Sequence, residues 1–208
     1  MEEFTISICM LGDTGVGKTS LSNYICSNKK FYPESTIGVE FFSKIFFIEK
    51  ENYNLKWTIW DTAGQERFRS LINTYFRNRT IYFIIYDVTN IDSFKNLDIW
   101  LENLQEHLEN NLIYLIANKI DSKNRKISEI KGKVYANSNN LKYFELSVFN
   151  DNNIKLLIND INNNINKIIS SNKRNYIFLK KHNISSNYKR INIEVEKRNN
   201  DKKCCIIN

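Results

Sequence analysis

Gly12-Asp-Thr-Gly-Val-Gly-Lys18-Thr19 stands between an apolar run at residues 4–11 and a segment with helical spacing. Glycine, four residues, then Gly-Lys and a hydroxyl residue is the pattern of a phosphate-binding loop between a strand and a helix. Its glycines let backbone N–H groups converge on phosphate oxygens, and the following helix presents its positive N-terminus to the same anion. Lys18 is expected to reach the β- and γ-phosphates, and Thr19 to bind Mg²⁺. The alternative is an ordinary glycine turn before a helix. The predicted nucleotide-binding residues of this phosphate loop are Gly12, Asp13, Thr14, Gly15, Val16, Gly17, Lys18, Thr19 and Ser20.

Apolar runs recur along the chain as strands would, with segments of helical spacing between them. The runs are residues 4–11, 41–48, 55–60, 81–88, 112–117 and 143–146. This alternation predicts an α/β fold with a six-stranded, mostly parallel sheet flanked by helices. The last helical segment carries an apolar stripe between Ile154 and Ile168 and is expected to pack on the sheet. Its many asparagines are interpreted as compositional bias.

Charge and composition divide the chain in two. All of the net charge of +7 lies in residues 171–208, with ten Lys or Arg and three Asp or Glu, so the rest is balanced. That tail is rich in Asn, Ser and Lys and predicts a flexible, disordered basic segment after a folded domain at residues 1–170. A balanced domain offers no basic groove, so nucleic-acid binding, which the high pI suggests, is not expected.

Several classes of protein are not expected from the remaining features. No apolar run has the length of a membrane span, and the acidic start lacks the features of a secretory signal. Two separate cysteines, Cys9 and Cys26, and the adjacent pair Cys204 and Cys205 do not form a disulfide framework. A reducing, cytosolic setting is therefore expected.

Asn118-Lys-Ile-Asp121 directly follows the fifth strand and distinguishes between nucleotide bases. The carboxylate of Asp121 can accept both N–H groups on the edge of guanine. Adenine would leave this buried carboxylate badly paired, at a cost of about 1–3 kcal/mol. The stretch predicts binding of GTP and GDP through Asp121. The family resemblance described next implies that Asn118 and Lys119 are also base-site residues.

This set of motifs resembles the Ras-like small GTPases, over residues 5–170 and the extreme C-terminus. The resemblance implies that Asp61 in Trp60-Asp-Thr-Ala-Gly-Gln-Glu66 holds Mg²⁺ through water and that the Gly64 amide binds the γ-phosphate. Gln65 would be the catalytic residue that orients the attacking water, and Thr36 would supply the second Mg²⁺ contact. These two segments would order around the γ-phosphate and relax after hydrolysis.

The resemblance also implies a pocket around the guanine, and this chain departs from the family there. Ser147, Val148 and Phe149 correspond to a Ser-Ala-Lys segment that closes the pocket, with Phe149 in place of lysine. Phe31 corresponds to the aromatic that stacks on guanine, but it lies two residues closer to Thr36 than is usual. The alternative for Phe31 is a core aromatic after the first helix.

Both switch sequences are similar to those of Rab proteins, with features of Golgi and secretory Rabs. Phe41, Trp60 and Tyr75 match the aromatic triad that effectors contact, although Trp60 and Tyr75 could instead be core residues. Lys202-Lys-Cys204-Cys205-Ile-Ile-Asn208 resembles a double-cysteine prenylation end, for which the alternative is a solvated tail with two idle thiols. A lipid anchor preceded by basic residues would hold the protein on membranes.

The resemblance implies a Rab-type switch in vesicle-mediated transport. Its expected partners are an exchange factor, a GTPase-activating protein, a GDP dissociation inhibitor, an escort protein, effectors and a membrane. The expected location is the cytoplasmic face of Golgi or secretory membranes, with a cytosolic pool. The short first switch and Phe149 leave one alternative, a scaffold that binds guanine nucleotide without hydrolysing it.

Overall fold

The computed structural model describes residues 2–30, 38–62, 79–104 and 111–171, together with the backbone of residues 180–183. The six predicted strands are all present within these ranges. They are β1 (Glu2–Leu11), β2 (Val39–Ile48), β3 (Tyr53–Thr62), β4 (Ile81–Asp87), β5 (Leu112–Asn118) and β6 (Lys142–Leu146). The helices of the described residues are α1 (Lys18–Ser27), α2 (Ile91–Lys95), α3 (Leu97–Glu102), α4 (Glu129–Ser138) and α5 (Asp151–Ser170).

The strands form one sheet in the order β2-β3-β1-β4-β5-β6. Each neighbouring pair is parallel except β2 with β3, which is antiparallel. The prediction of a six-stranded, mostly parallel α/β sheet is therefore confirmed. In such sheets the loops at the carboxyl ends of the strands form the ligand site, and the phosphate loop leaves β1 at that edge.

The central strands are buried on both faces, which explains their continuous apolar sequence. On one face Ile6, Ile8 and Met10 of β1 pack in a core with α1 and α5. On the other face Cys9 and Leu11 pack in a second core with α2, α3 and α4. The helices thus cover both sides of the sheet and fix the loops between them.

Helix α5 packs as its apolar stripe predicts, with its most deeply buried residues being Ile154, Leu157, Ile161 and Ile165. Two of its asparagines accept hydrogen bonds from side chains of the sheet. The Asn162 Oδ1 atom accepts a hydrogen bond of 3.1 Å from the Trp57 indole, and Asn166 Oδ1 accepts one of 3.1 Å from the Tyr53 hydroxyl. Both donors belong to aromatic side chains of β3 that are buried, and a buried donor needs an acceptor.

A short seventh strand, β7 (Lys180–Asn183), was not predicted. It pairs antiparallel with the start of β1, from Glu2 opposite Asn183 to Thr5 opposite Lys180. Strand β4 pairs with β1 only from Ile8 onward, which leaves this stretch of the β1 edge for β7. The division of the chain at residue 170 stays a prediction. No helix in the described ranges combines the length and apolarity that a membrane span requires.

Candidate functional site

The phosphate loop joins the end of β1 to the start of α1 and lies against two neighbouring strands. A side chain at Gly12 would place its Cβ 2.2 Å from the carbonyl oxygen of Ile85 in β4, and the backbone there has φ of +135°. At Gly17 the Cβ would lie 2.4 Å from Nδ2 of Asn118, with φ of +97°. Both positions therefore require glycine for conformation and for space.

Lys18 is buried at the first position of α1, under the loop it follows. Its Nζ donates hydrogen bonds of 2.8 Å to the carbonyl oxygens of Gly12 and Asp13. Burial lowers the pKa of Lys18 to about 8, although the charges of Asp61 and Asp13 oppose the shift. The loop therefore holds a buried cation beside its backbone, which is the charge that a phosphate group would neutralise.

Thr19 and Asp61 meet across the ends of α1 and β3, as the predicted magnesium site requires. The Thr19 hydroxyl donates a hydrogen bond to Asp61 Oδ2, and the Asp61 carboxylate is fully buried. Asp61 Oδ1 accepts no hydrogen bond from any described residue. Burial raises the pKa of Asp61 to about 6, against the hydrogen bond from Thr19 and the charge of Lys18.

These two side chains fit a divalent cation. A hydroxyl and a carboxylate with an unsatisfied buried oxygen are the hard oxygen donors that Mg²⁺ prefers. A cation would also relieve the cost of burying a charged carboxylate. Thr19 and Asp61 would hold Mg²⁺, which would neutralise charge on the phosphates.

Residues 118–121, here called the base loop, are bonded directly to the phosphate loop. The buried Asn118 donates from Nδ2 to the Val16 carbonyl oxygen at 2.8 Å, and Lys119 donates from Nζ to the Gly15 carbonyl oxygen at 2.6 Å. Lys119 has a positive φ of 66°, which turns the chain at the end of β5. The structure therefore brings together the two motifs that the sequence separates by about a hundred residues.

The predicted pocket-closing segment reaches the base loop from the end of β6. The Ser147 hydroxyl donates to Asp121 Oδ1, and the Phe149 backbone N–H donates to Ser147 Oγ at 3.0 Å. Phe149 is 50% exposed, and Lys30 Nζ lies 4.9 Å from the centre of its ring. Val148, which lies between Ser147 and Phe149 in the sequence, is half-buried. The Ser147 hydroxyl thus links the Asp121 carboxylate to the backbone of Phe149. Asp121 is exposed in this structure, and not buried as the sequence analysis expects, because it lies in the loop beyond the end of β5.

Sequence reasoning missed Asp87, which supports the base loop. Its Oδ2 forms an ion pair of 2.7 Å with Lys119, while Oδ1 accepts from the backbone N–H and the hydroxyl of Thr89. Burial acts to raise the pKa of Asp87, but the hydrogen bonds from Lys119 and Thr89 hold it below its ordinary value. The available signal was its position at the carboxyl end of β4, the strand next to the phosphate loop.

Two members of the predicted aromatic triad lie side by side at the edge of the sheet. Phe41 of β2 is 56% exposed and contacts Trp60 of β3 edge-on, with ring centres 5.4 Å apart. Trp60 is partly buried, and the Arg79 guanidinium lies 4.0 Å from the centre of its ring. Phe41 is thus available to a partner, whereas part of the Trp60 side chain is exposed and part is packed within the fold.

The remaining predicted residues lie outside the described ranges, so their roles stay predictions. They are Phe31, Thr36, Gly64, Gln65, Tyr75, Cys204 and Cys205.

A loop of this geometry, joined to a base loop and facing a buried aspartate, defines a P-loop guanine-nucleotide-binding protein. The family model described as "Ras family" matches residues 7–167. The chain is 34% identical over 172 residues to the GTP-binding protein ypt3 of Schizosaccharomyces pombe, covering 81% of this chain and 79% of that protein. It is 32% identical to the Ras-related protein rab-11.1 of Caenorhabditis elegans, covering 81% of each. It is also 39% identical over 159 residues to the Ras-related protein Rab-1 of Theileria parva, covering 74% of this chain and 70% of that protein.

The chain belongs to the Ras family, within its Rab group of GTP-hydrolysing small GTPases. The resemblance predicted from the motifs is confirmed. Membership in a family of enzymes favours hydrolysis over the alternative of a non-hydrolysing scaffold.

Proposed function

We propose that this protein is a Mg²⁺-dependent GTP/GDP switch that regulates intracellular vesicle-mediated transport from a lipid anchor. The observation that carries the proposal is the direct bonding of the base loop to the phosphate loop through Asn118 and Lys119. Because these hydrogen bonds hold the two motifs next to each other, recognition of guanine and binding of phosphate occur on a single nucleotide. ATP would satisfy the phosphate loop but not Asp121.

Within this site each residue has a distinct proposed role in binding the nucleotide or orienting the attacking water. Lys18 supplies a buried positive charge to the phosphates, and Thr19 with Asp61 would hold Mg²⁺. Gln65 would orient the attacking water, the Gly64 amide would bind the γ-phosphate, and Thr36 would supply the second Mg²⁺ contact. Hydrolysis is slow in this arrangement, and an arginine from a GTPase-activating protein would accelerate it by about 10³- to 10⁵-fold.

Nucleotide competition tests the binding part of the proposal. Purified protein loaded with a fluorescent GDP analogue in Mg²⁺ buffer should exchange it for GDP or GTP with submicromolar affinity. ATP at a thousandfold excess should not displace it. Equal displacement by ATP would refute the assignment of guanine specificity to the base loop.

Single-turnover hydrolysis tests the switch. Gln65→Leu should retain GTP and hydrolyse it more slowly than wild type, because the attacking water loses its orienting group. Equal rates for the two proteins would contradict the role proposed for Gln65.

The membrane part of the proposal concerns residues 171–208. Two geranylgeranyl groups on Cys204 and Cys205 would anchor the protein, at about 0.8 kcal/mol for each buried CH₂ group. Nearby Lys and Arg would each add about 1 kcal/mol at an anionic leaflet. The location proposed is the cytoplasmic face of Golgi or secretory membranes, with a cytosolic pool bound to a GDP dissociation inhibitor.

Imaging of the full-length chain tests the anchor. Wild type should mark an internal membrane, whereas Cys204→Ser with Cys205→Ser should be cytosolic and should not be geranylgeranylated. Membrane attachment that survives the double substitution would refute the lipid anchor. The other proposed partners are an exchange factor, a GTPase-activating protein and effectors that contact Phe41, Trp60 and Tyr75.

A further inference from the structure

Asp13 is the first residue after the opening glycine of the phosphate loop, and both oxygens of its carboxylate are occupied. Oδ2 accepts a hydrogen bond of 2.7 Å from Asn96 Nδ2, and Oδ1 accepts one of 3.0 Å from Trp100 Nε1. These two bonds span more than eighty positions in the sequence. They connect the phosphate loop to Trp100 of α3 and to Asn96, the residue immediately before α3.

The two donors are held firmly by their own surroundings. Trp100 is almost completely buried and packs in the second core together with Leu97 and Leu104. Asn96 lies one helical turn before Trp100, and its carbonyl oxygen accepts the Trp100 backbone N–H at 3.3 Å. Both donors therefore project from the same side of a packed unit, so they define a fixed position for the carboxylate.

The loop has contacts on its other side as well, through Val16 and Gly15 with the base loop. The backbone of Asp13 is separately bound, since its carbonyl oxygen accepts from Lys18 Nζ. The side chain of Asp13 is thus the connection between the first half of the loop and the second core. Hydrogen bonds to a charged acceptor are among the stronger ones in proteins.

A carboxylate in a phosphate-binding loop would repel the phosphates if it turned towards them. Its bonds to Asn96 and Trp100 hold it on the side of α3. Losing these donors would have two effects: the loop would become less ordered, and its negative charge would be free to approach the bound anion. Both effects weaken phosphate binding.

We propose that Asp13, Asn96 and Trp100 form a clamp in which the last two are positioning residues that set the phosphate loop for slow nucleotide release. The inference rests on the proposed guanine-nucleotide binding. No sequence motif assigns Asn96 or Trp100 to the nucleotide site. The proposal adds both to the residues that determine how long the nucleotide stays bound.

The test measures the dissociation rate of a fluorescent GDP analogue in excess unlabelled GDP and Mg²⁺. Trp100→Phe keeps the aromatic packing and removes the N–H donor, and we expect release to be about tenfold faster, equivalent to about 1.4 kcal/mol. Asn96→Ala removes the other donor at a partly exposed position and should act in the same direction. It provides a second measurement if Trp100→Phe folds poorly.

Trp57→Phe is the matched control. It also removes a buried indole N–H that donates to an asparagine, the 3.1 Å bond to Asn162, but it lies in the first core, where its partner is on α5. A merely structural loss would lower the melting temperature in both tryptophan variants. Only Trp100→Phe should accelerate release and shift the ³¹P resonance of the GDP β-phosphate.

A double-mutant cycle with Asp13→Ala identifies the bond itself. Because Asp13→Ala already removes the acceptor, adding Trp100→Phe should give no further acceleration. Release from Trp100→Phe within twofold of wild type, equal acceleration in Trp57→Phe, or multiplying effects in the double variant would each overturn the clamp. A wild-type protein that retains no guanine nucleotide would instead overturn the proposed function.

Discussion

Asn118→Ala tests whether the base loop supports the phosphate loop as well as the base. Asn118 is buried, and its Nδ2 donates to the carbonyl oxygen of Val16, which is also buried. The substitution leaves that carbonyl without its donor, at a cost of about 1–3 kcal/mol. If the loss falls on the nucleotide-bound state, release of GDP should be about 5- to 150-fold faster. The assay is dissociation of a fluorescent GDP analogue under excess GDP.

Asn162→Ala is the control for general destabilisation. Asn162 accepts the indole N–H of the buried Trp57 at 3.1 Å, so its truncation also leaves a buried polar group unpaired. Both variants should unfold at lower temperature, but Asn162→Ala should release GDP at the wild-type rate. If the two variants released GDP equally fast, the role of Asn118 would be only its contribution to stability, and the reasoning would be refuted.

Three further predictions follow from the local geometry. Gly17→Ala should abolish retention of nucleotide during gel filtration, because its Cβ would lie 2.4 Å from Asn118 Nδ2. At Gly15→Ala the described residues, apart from the two chain neighbours, place no atom within 4 Å of the new Cβ, so this variant should retain nucleotide at reduced affinity because of its positive φ alone. Equal losses in the two glycine variants would argue against the steric reason. Chelation of Mg²⁺ with EDTA should speed release of GDP from wild type, and Asp61→Ala should release it fast with or without EDTA; a large remaining response to EDTA in the variant would place the cation elsewhere. Phe41→Ser should lower the melting temperature by no more than about 6 °C, since the lost ring contact with Trp60 contributes about 0.5–1.5 kcal/mol. It should weaken effector capture, and a much larger fall in melting temperature would show that Phe41 serves mainly the fold.

From the sequence alone one can predict the position of those parts of the candidate site that a short motif contains. The phosphate loop, Asp61 and the base loop each combine residue types with a fixed place after a strand, so the alternation of strands and helices located them at one edge of the sheet. The spacing and apolar content of the residues likewise predicted all six strands. These inferences succeed because each depends on neighbours within a few residues.

The parts that could not be predicted depend on contacts between distant elements. Asp87 and Trp100 look like an ordinary strand end and an ordinary core aromatic in the sequence, and only the packing of β4 and α3 places them beside the loops. The roles of Asn162 and Asn166 could not be predicted for the same reason. Their side-chain oxygens become hydrogen-bond acceptors only when α5 packs opposite the buried donors of β3. Strand β7 reads Lys-Lys-His-Asn and has no apolar pattern, and its pairing depends on an edge of β1 that β4 leaves unpaired.

A phosphate loop has no secondary structure of its own, so its shape depends on what holds it from outside. Here Asn118 and Lys119 hold the second half of the loop, and the partners of Asp13, namely Trp100 of α3 and Asn96 just before it, hold the first half. The guanine motif is therefore also a phosphate-site motif, and a change at either end of the nucleotide reaches the other through the same few hydrogen bonds. A change that moved the base loop or α3 would therefore loosen the phosphate loop without touching the phosphates.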